Sequence, residues 1–80
     1  MIDILTKILL DAEFSKDENT PNNRYILPLG DGLCEVWLTA KSWTFTVSDE
    51  DGDEIANFWS SFDHPTCIDA LNDAIAEYCS

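Results

Sequence analysis

Asp49, Glu50, Asp51, Asp53 and Glu54 fall within six consecutive residues. Such a carboxylate cluster has two ordinary uses: coordination of a hard cation through oxygen, or presentation of negative charge. Spacing speaks against the first. A calcium loop of the EF-hand type starting at Asp49 needs glycine at its sixth position and glutamate at its twelfth. Those positions hold Glu54 and Ser60, and the nearby glycine is Gly52. A second acidic line, Asp69, Asp73 and Glu77, is spaced i, i+4, i+8. On a helix this sets carboxylates about 6 Å apart along the axis. Each like-charge step costs roughly 0.2–0.5 kcal/mol, and Glu77 would sit at the negative end of the helix dipole. No Lys or Arg follows Lys41 to relieve it. Both clusters read either as ordinary solvated surface or as an anionic surface held against its own stability.

The other chemistry-bearing residues point nowhere definite. His64 and Cys67 form an H-x-x-C pair, but two ligands do not close a zinc site. Cys34, Cys67 and Cys79 are odd in number and lack C-x-x-C spacing, so neither a disulfide framework nor a zinc ribbon is indicated. Cys34 reads as a small buried hydrophobe and Cys79 as part of a frayed end, which fits a reducing, cytoplasmic compartment. One histidine, no glycine-rich phosphate loop and a surplus of unspecific carboxylates give no catalytic constellation. The reading is non-enzymatic, with no cofactor and no metal.

The elements that must position these residues follow from composition and periodicity. Eighty residues permit one domain, spanning 1–80. Sixteen Asp or Glu against four Lys or Arg give a net charge of −12, while 45% of the chain is hydrophobic, too much for an acidic disordered tail. A domain this small needs nearly every large apolar residue in its core. No apolar run approaches the ~20 residues of a membrane span, and no basic segment leads into a signal-like apolar one. The acidity argues against direct binding to nucleic acid or anionic lipid.

Residues 2–14 have helical periodicity, with Leu5, Ile8, Leu9 and Ala12 on one face. The polar stretch 15–23, containing Pro21, reads as a loop. Segments 24–29, 33–39, 43–48 and 54–59 alternate as strands. Asp31-Gly32 and Asp51-Gly52 are strong two-residue hairpin turns, and Ala40-Lys41 is a weaker one. These turns place Tyr25, Leu27, Leu29, Cys34, Val36, Leu38, Trp43, Phe45, Val47, Ala56 and Phe58 on one inner face. The outer face then carries the row Ile26–Trp37–Thr44–Trp59, in which Trp37 and Trp59 have no evident cover. At the tip, Glu50 would oppose Asp53 and Asp49 would oppose Glu54. A second helix opens on a capping box, Thr66 with Asp69, and carries an apolar stripe of Ile68, Leu71, Ile75 and Tyr78. The expected fold is α+β in the order α-β-β-β-β-α, a four-stranded antiparallel meander with both helices on its inner face.

In length, charge, acidic helix line, acidic hairpin tip and compact plan, the chain resembles the small acidic proteins that phages and mobile elements use against CRISPR and restriction systems, the anti-CRISPR proteins and DNA mimics. The resemblance is one of type and carries no diagnostic motif. It implies a non-enzymatic inhibitor occupying a basic nucleic-acid-binding surface, such as that of a CRISPR effector. The partner-binding residues would be Asp49, Glu50, Asp51, Asp53, Glu54, Asp69, Asp73 and Glu77, with Trp37 and Trp59 as aromatic candidates. The same acidity would serve an immunity protein or antitoxin against a basic nuclease. The tryptophan face would instead serve a dimerising assembly module.

Overall fold

The computed structural model describes residues 1–20 and 23–79. Helix α1 (Ile2–Asp11) leads into β1 (Ser15–Lys16), β2 (Asn23–Leu29), β3 (Gly32–Leu38), β4 (Ser42–Ser48) and β5 (Glu54–Ser61), and helix α2 (Cys67–Tyr78) follows. The five strands form one open antiparallel sheet in the order β1-β2-β3-β4-β5. The fold is α+β, and the expected strands are present. The correction is a fifth strand, which makes the order α-β-β-β-β-β-α. It comes from the stretch read as loop: Ser15 pairs with Ile26 and Lys16 with Tyr25. Two polar residues show no alternation from which a strand could be read. The portion of that loop around Pro21 lies outside the described residues.

Helix α1 stops three residues before the predicted end, and the backbone shows why. Glu13 takes a positive φ of 73°. Its amide donates to the Leu10 carbonyl at 3.0 Å, and the Phe14 amide donates to the Leu9 carbonyl at 2.9 Å. This is the paired closure of a Schellman motif, normally made by glycine at the left-handed position. A glutamate there gives no stop signal in the sequence. The motif turns Phe14 back into the core, where it is buried.

The inner face is as the turns predict. Cys34, Val36, Leu38, Trp43, Phe45, Val47 and Tyr25 are buried, with Leu27, Leu29 and Ala56 packed beside them. Both helices cover this face. Helix α1 contributes Leu5 and Leu9, and α2 contributes Cys67, Leu71 and Ala74. The Trp43 indole donates to the Cys67 carbonyl at 3.2 Å. The Phe45 ring meets those of Phe14, Phe58 and Tyr78 at 6.3–6.4 Å. Each fully buried large side chain of this set contributes about 1.5–3 kcal/mol relative to exposure. Phe58 lies on the inner face but remains 38% exposed, because β5 is the last strand and α2 covers it incompletely.

The register of the first hairpin differs from expectation by two residues. Leu29 pairs with Gly32, so the turn residues are Gly30 and Asp31 rather than Asp31 and Gly32. Gly30 has φ +54° and Asp31 does not share a positive φ, the pattern of a type II′ turn. Gly32 sits in the ladder for a different reason: a Cβ there would lie 2.5 Å from the Ser48 carbonyl oxygen. A two-residue slip preserves which side chains face inward. It does change the outer rows, with Trp37 now opposite Arg24, and Ile26 opposite Glu35.

The expected capping box of α2 is also absent. Thr66 is the N-cap, but its hydroxyl pairs with His64 Nδ1 at 2.8 Å and makes no cap bond. Relief of the left-handed strain at Glu13 gives a direct test of the helix stop. E13G should stabilise the fold by about 0.5–1 kcal/mol, measured by thermal or urea unfolding.

Candidate functional site

The acidic hairpin tip is built by its own backbone. The Gly52 amide donates to the Asp49 carbonyl at 3.0 Å, and the Asp49 amide donates to the Asp53 carbonyl at 2.9 Å. Gly52 supplies the positive φ of +86° that closes this turn. The Asp49 carboxylate accepts the amides of Asp51 (3.0 Å) and Asp53 (2.9 Å). The tip is thus one residue longer than a two-residue turn, and a bulge between Val47 and Ser48 absorbs the difference. Asp49 therefore faces Asp53, and Ser48 faces Glu54. The expected oppositions of Glu50 with Asp53 and of Asp49 with Glu54 are corrected accordingly. From Val47–Ala56 onward the ladder holds the predicted register.

Glu50, Asp51, Asp53 and Glu54 are exposed, and Asp49 is half-buried. Carboxylate oxygens of Asp49, Asp51 and Asp53 lie within 4.8 Å of one another and could offer a cation three ligands. The turn accounts for their closeness, since one oxygen of Asp49 already accepts two amides.

The helix that carries the second acidic element ends beside the same hollow as the tip. Asp69, Asp73 and Glu77 are all exposed along α2, while Leu71 and Ala74 face the core. Tyr78, next to Glu77, lines a shallow hollow of about 420 Å³ together with Leu29, Asp31, Val47, Asp49, Glu50, Asp51 and Ile55. The tip and the C-terminal end of α2 therefore share one rim, which Asp31 extends. Asp69 lies about 12 Å back along the helix axis.

The two tryptophans are separated in environment. Trp59 is 69% exposed. Trp37 is half-buried, with the Arg24 guanidinium 5.7 Å from its ring centroid. Arg24 also pairs with Glu35 through Nε and with Asp17 at 2.5 Å. Burial works against the Arg24 charge, but the bonds to Glu35 and then Asp17 outweigh it and raise its pKa. The Asp17 pKa is lowered, first by the Asn19 amide and then by Arg24. The sequence reading missed this cation because the two-residue slip had placed Ile26 beside Trp37.

The four Lys and Arg are Lys7, Lys16, Arg24 and Lys41, and none follows Lys41. Lys7 pairs with Asp11 at 3.3 Å on the α1 surface, and Lys16 and Lys41 are exposed. His64 is engaged with Thr66, and Cys67 is buried in the first turn of α2. Cys79 is held rather than frayed, its sulfur 3.4 Å from that of Cys34. Burial pushes the Cys34 thiol up to about 12 and raises that of Cys79 as well. Comparison with known proteins finds no matching family model, no similar curated protein and no similar solved structure. Among the described residues, no helix is long and apolar enough to cross a membrane.

Two measurements check this geography. W59A should change stability by no more than about 0.5 kcal/mol, whereas W43A should cost about 3–5 kcal/mol; denaturant unfolding of the two variants decides. The lowered pKa of Asp17 means that its contribution is complete above the ordinary value of 3.8 and is lost as pH falls through the lower folded value. The Tm difference between the parent and D17N should therefore be constant above about pH 5 and shrink below pH 4, as followed by thermal melts across pH.

Proposed function

We propose that the chain is a non-enzymatic acidic binding module that occupies a basic, nucleic-acid-binding surface of a protein target, in the manner of a small cytoplasmic inhibitor such as an anti-CRISPR protein. The observation that carries this reading is the shared rim of the hairpin tip and α2. It presents Asp31, Asp49, Glu50 and Asp51 around a hollow that Tyr78 at the end of α2 also lines, the same helix exposes Asp69, Asp73 and Glu77, and no Lys or Arg follows Lys41. A groove lined for phosphates meets carboxylates here at comparable spacing. Association of such surfaces is steered over long range and weakens steeply with salt.

The clustering also supports the reading through its energetic sign. Repulsion along α2 opposes folding, and Glu77 stands at the unfavourable end of the helix dipole.

The test is affinity capture with the immobilised chain, run beside the D69K/D73K/E77K variant. The parent should retain nucleic-acid-binding proteins that duplex DNA or RNA displaces and that ~1 M salt releases, where screening shortens to about 3 Å. The triple reversal, which halves the net charge, should lose them while its Tm stays equal or rises. Equal capture by the variant, or capture that survives 1 M salt, overturns the reading.

A further inference from the structure

We propose that the open edge of β5 takes up an extended basic segment of the protein target as a sixth strand of the sheet. The inference rests on the reading of this chain as an acidic module for a basic protein, and adds to it a mode of engagement.

The two edges of the sheet are unlike. At one edge, β1 has two residues, Ser15 and Lys16, and so offers little backbone to a newcomer. At the other, β5 runs for eight residues, from Glu54 to Ser61, without proline or lysine. Short strands, lysine and proline are among the usual protections of a sheet edge, and β5 lacks these three; its bulge at Ile55 lies ahead of Asn57 and Trp59.

Ladder geometry identifies the free groups. The Phe62 amide donates to the Lys41 carbonyl at 2.8 Å, which continues the β4–β5 ladder and fixes its phase. Hydrogen-bonded pairs alternate in an antiparallel ladder, so Trp43 with Ser60, Phe45 with Phe58 and Val47 with Ala56 face one another. The Thr39 amide bonding to the Ser42 carbonyl gives the same phase from the other side of β4. It follows that the amides and carbonyls of Asn57 and Trp59 point away from β4, where the sheet has no further strand. They are spaced as a pairing strand requires. The Ser61 carbonyl, next in line, accepts from His64 and ends the open edge.

The flanks suit a side-chain-bearing strand. Trp59 is 69% exposed and Phe58 38% exposed. Adjacent strand residues point to opposite faces, so the two rings stand on either side of the edge. A hollow of about 320 Å³ adjoins it, lined by Trp59, Ser60, His64, Thr66 and Ala70 among others.

Charge selects the occupant. Asp53 and Glu54 stand at the start of the strand and Asp63 follows it, with Lys41, whose carbonyl accepts from Phe62, beside the far end. Antiparallel pairing of two copies about Asn57 would bring Asp51 of one opposite Asp63 of the other, between chains of −12 each. A segment with alternating basic and apolar residues instead meets carboxylates at the strand ends and aromatic rings between them.

The test titrates the intact chain with a synthetic peptide of about ten alternating lysines and valines. A second peptide of the same sequence and charge is methylated at every internal backbone nitrogen. The unmethylated peptide should bind and slow hydrogen exchange at the Asn57 and Trp59 amides, and methylation should weaken it roughly tenfold or more. N57P removes an outward amide while Ala56 and Phe58 keep their bonds to β4. It should weaken the unmethylated peptide to a similar degree with its fold checked by Tm. Equal binding of the two peptides, both lost in D69K/D73K/E77K, overturns strand addition and leaves the acidic-module reading standing. Amide-dependent binding that survives the triple reversal supports strand addition and counts against the α2 surface. Absence of peptide binding overturns the proposal. So does a dimer of the free chain in which the Asn57 and Trp59 amides are already protected, because a second copy then holds the edge.

Discussion

Trp43 and Phe45 sit at the centre of the covered side of the sheet, and the other placements follow from enclosing them. Their neighbours Cys34, Val36, Leu38 and Val47 make that side of β3 and β4 an apolar surface, and both helices pack there. The Trp43 indole then requires an acceptor, and the first turn of α2 supplies the Cys67 carbonyl. The Schellman closure at Glu13 returns Phe14 to the same ring cluster. Because both helices are committed to one face, the other face of the sheet and the β5 edge stay in water. The exposure of Trp59 is a consequence of covering Trp43.

What was legible in the sequence reflects how strongly each feature is encoded. The alternation in β3 and β4 is long and clean, and any even slip leaves its inward set unchanged. The inner face was therefore readable even though the β2–β3 register was not. Gly30-Asp31 and Asp31-Gly32 are both acceptable turn pairs, and the choice depends on Gly32 clearing the Ser48 carbonyl, a tertiary contact. The short β1 strand, the glycine-free helix stop and the hydroxyl of Thr66 turned toward His64 are likewise decided by surroundings. Within the candidate surface, the exposure of Asp69, Asp73 and Glu77 could be read from spacing. The place of Tyr78, at the end of their helix, beside the hairpin tip could not, because it depends on where α2 ends against the sheet.

The charged residues divide by role along the chain. Arg24 is structural: it joins Asp17 and Glu35, covers Trp37, and ties β1, β2 and β3 together on the outer face. Asp17 and Glu35 are thereby neutralised, and Asp11 has Lys7. After Lys41 the carboxylates have no Lys or Arg in the sequence. Asp49 is the exception in kind, since its oxygen shapes the turn through two amides. The charge asymmetry is thus also a spatial one: the ion-paired acids Asp11, Asp17 and Glu35 lie on α1 and around β1–β3, while the acids of the β4–β5 tip and α2 all follow the last Lys of the chain.

That asymmetry bears on why an unprotected edge can persist in a small acidic protein. An open strand flanked by Trp59 and Phe58 would ordinarily invite pairing between copies. Here the nearby carboxylates oppose it, because any second copy brings the same charges to the same edge. The repulsion falls on like-charged strands and turns to attraction for a basic one. A single set of residues, Asp53, Glu54 and Asp63 with the tip beside them, can therefore hold the edge free and specify what may fill it. On this account the carboxylates act through selectivity as much as through affinity, and the backbone of Asn57 and Trp59 supplies the directional contacts that charge alone lacks.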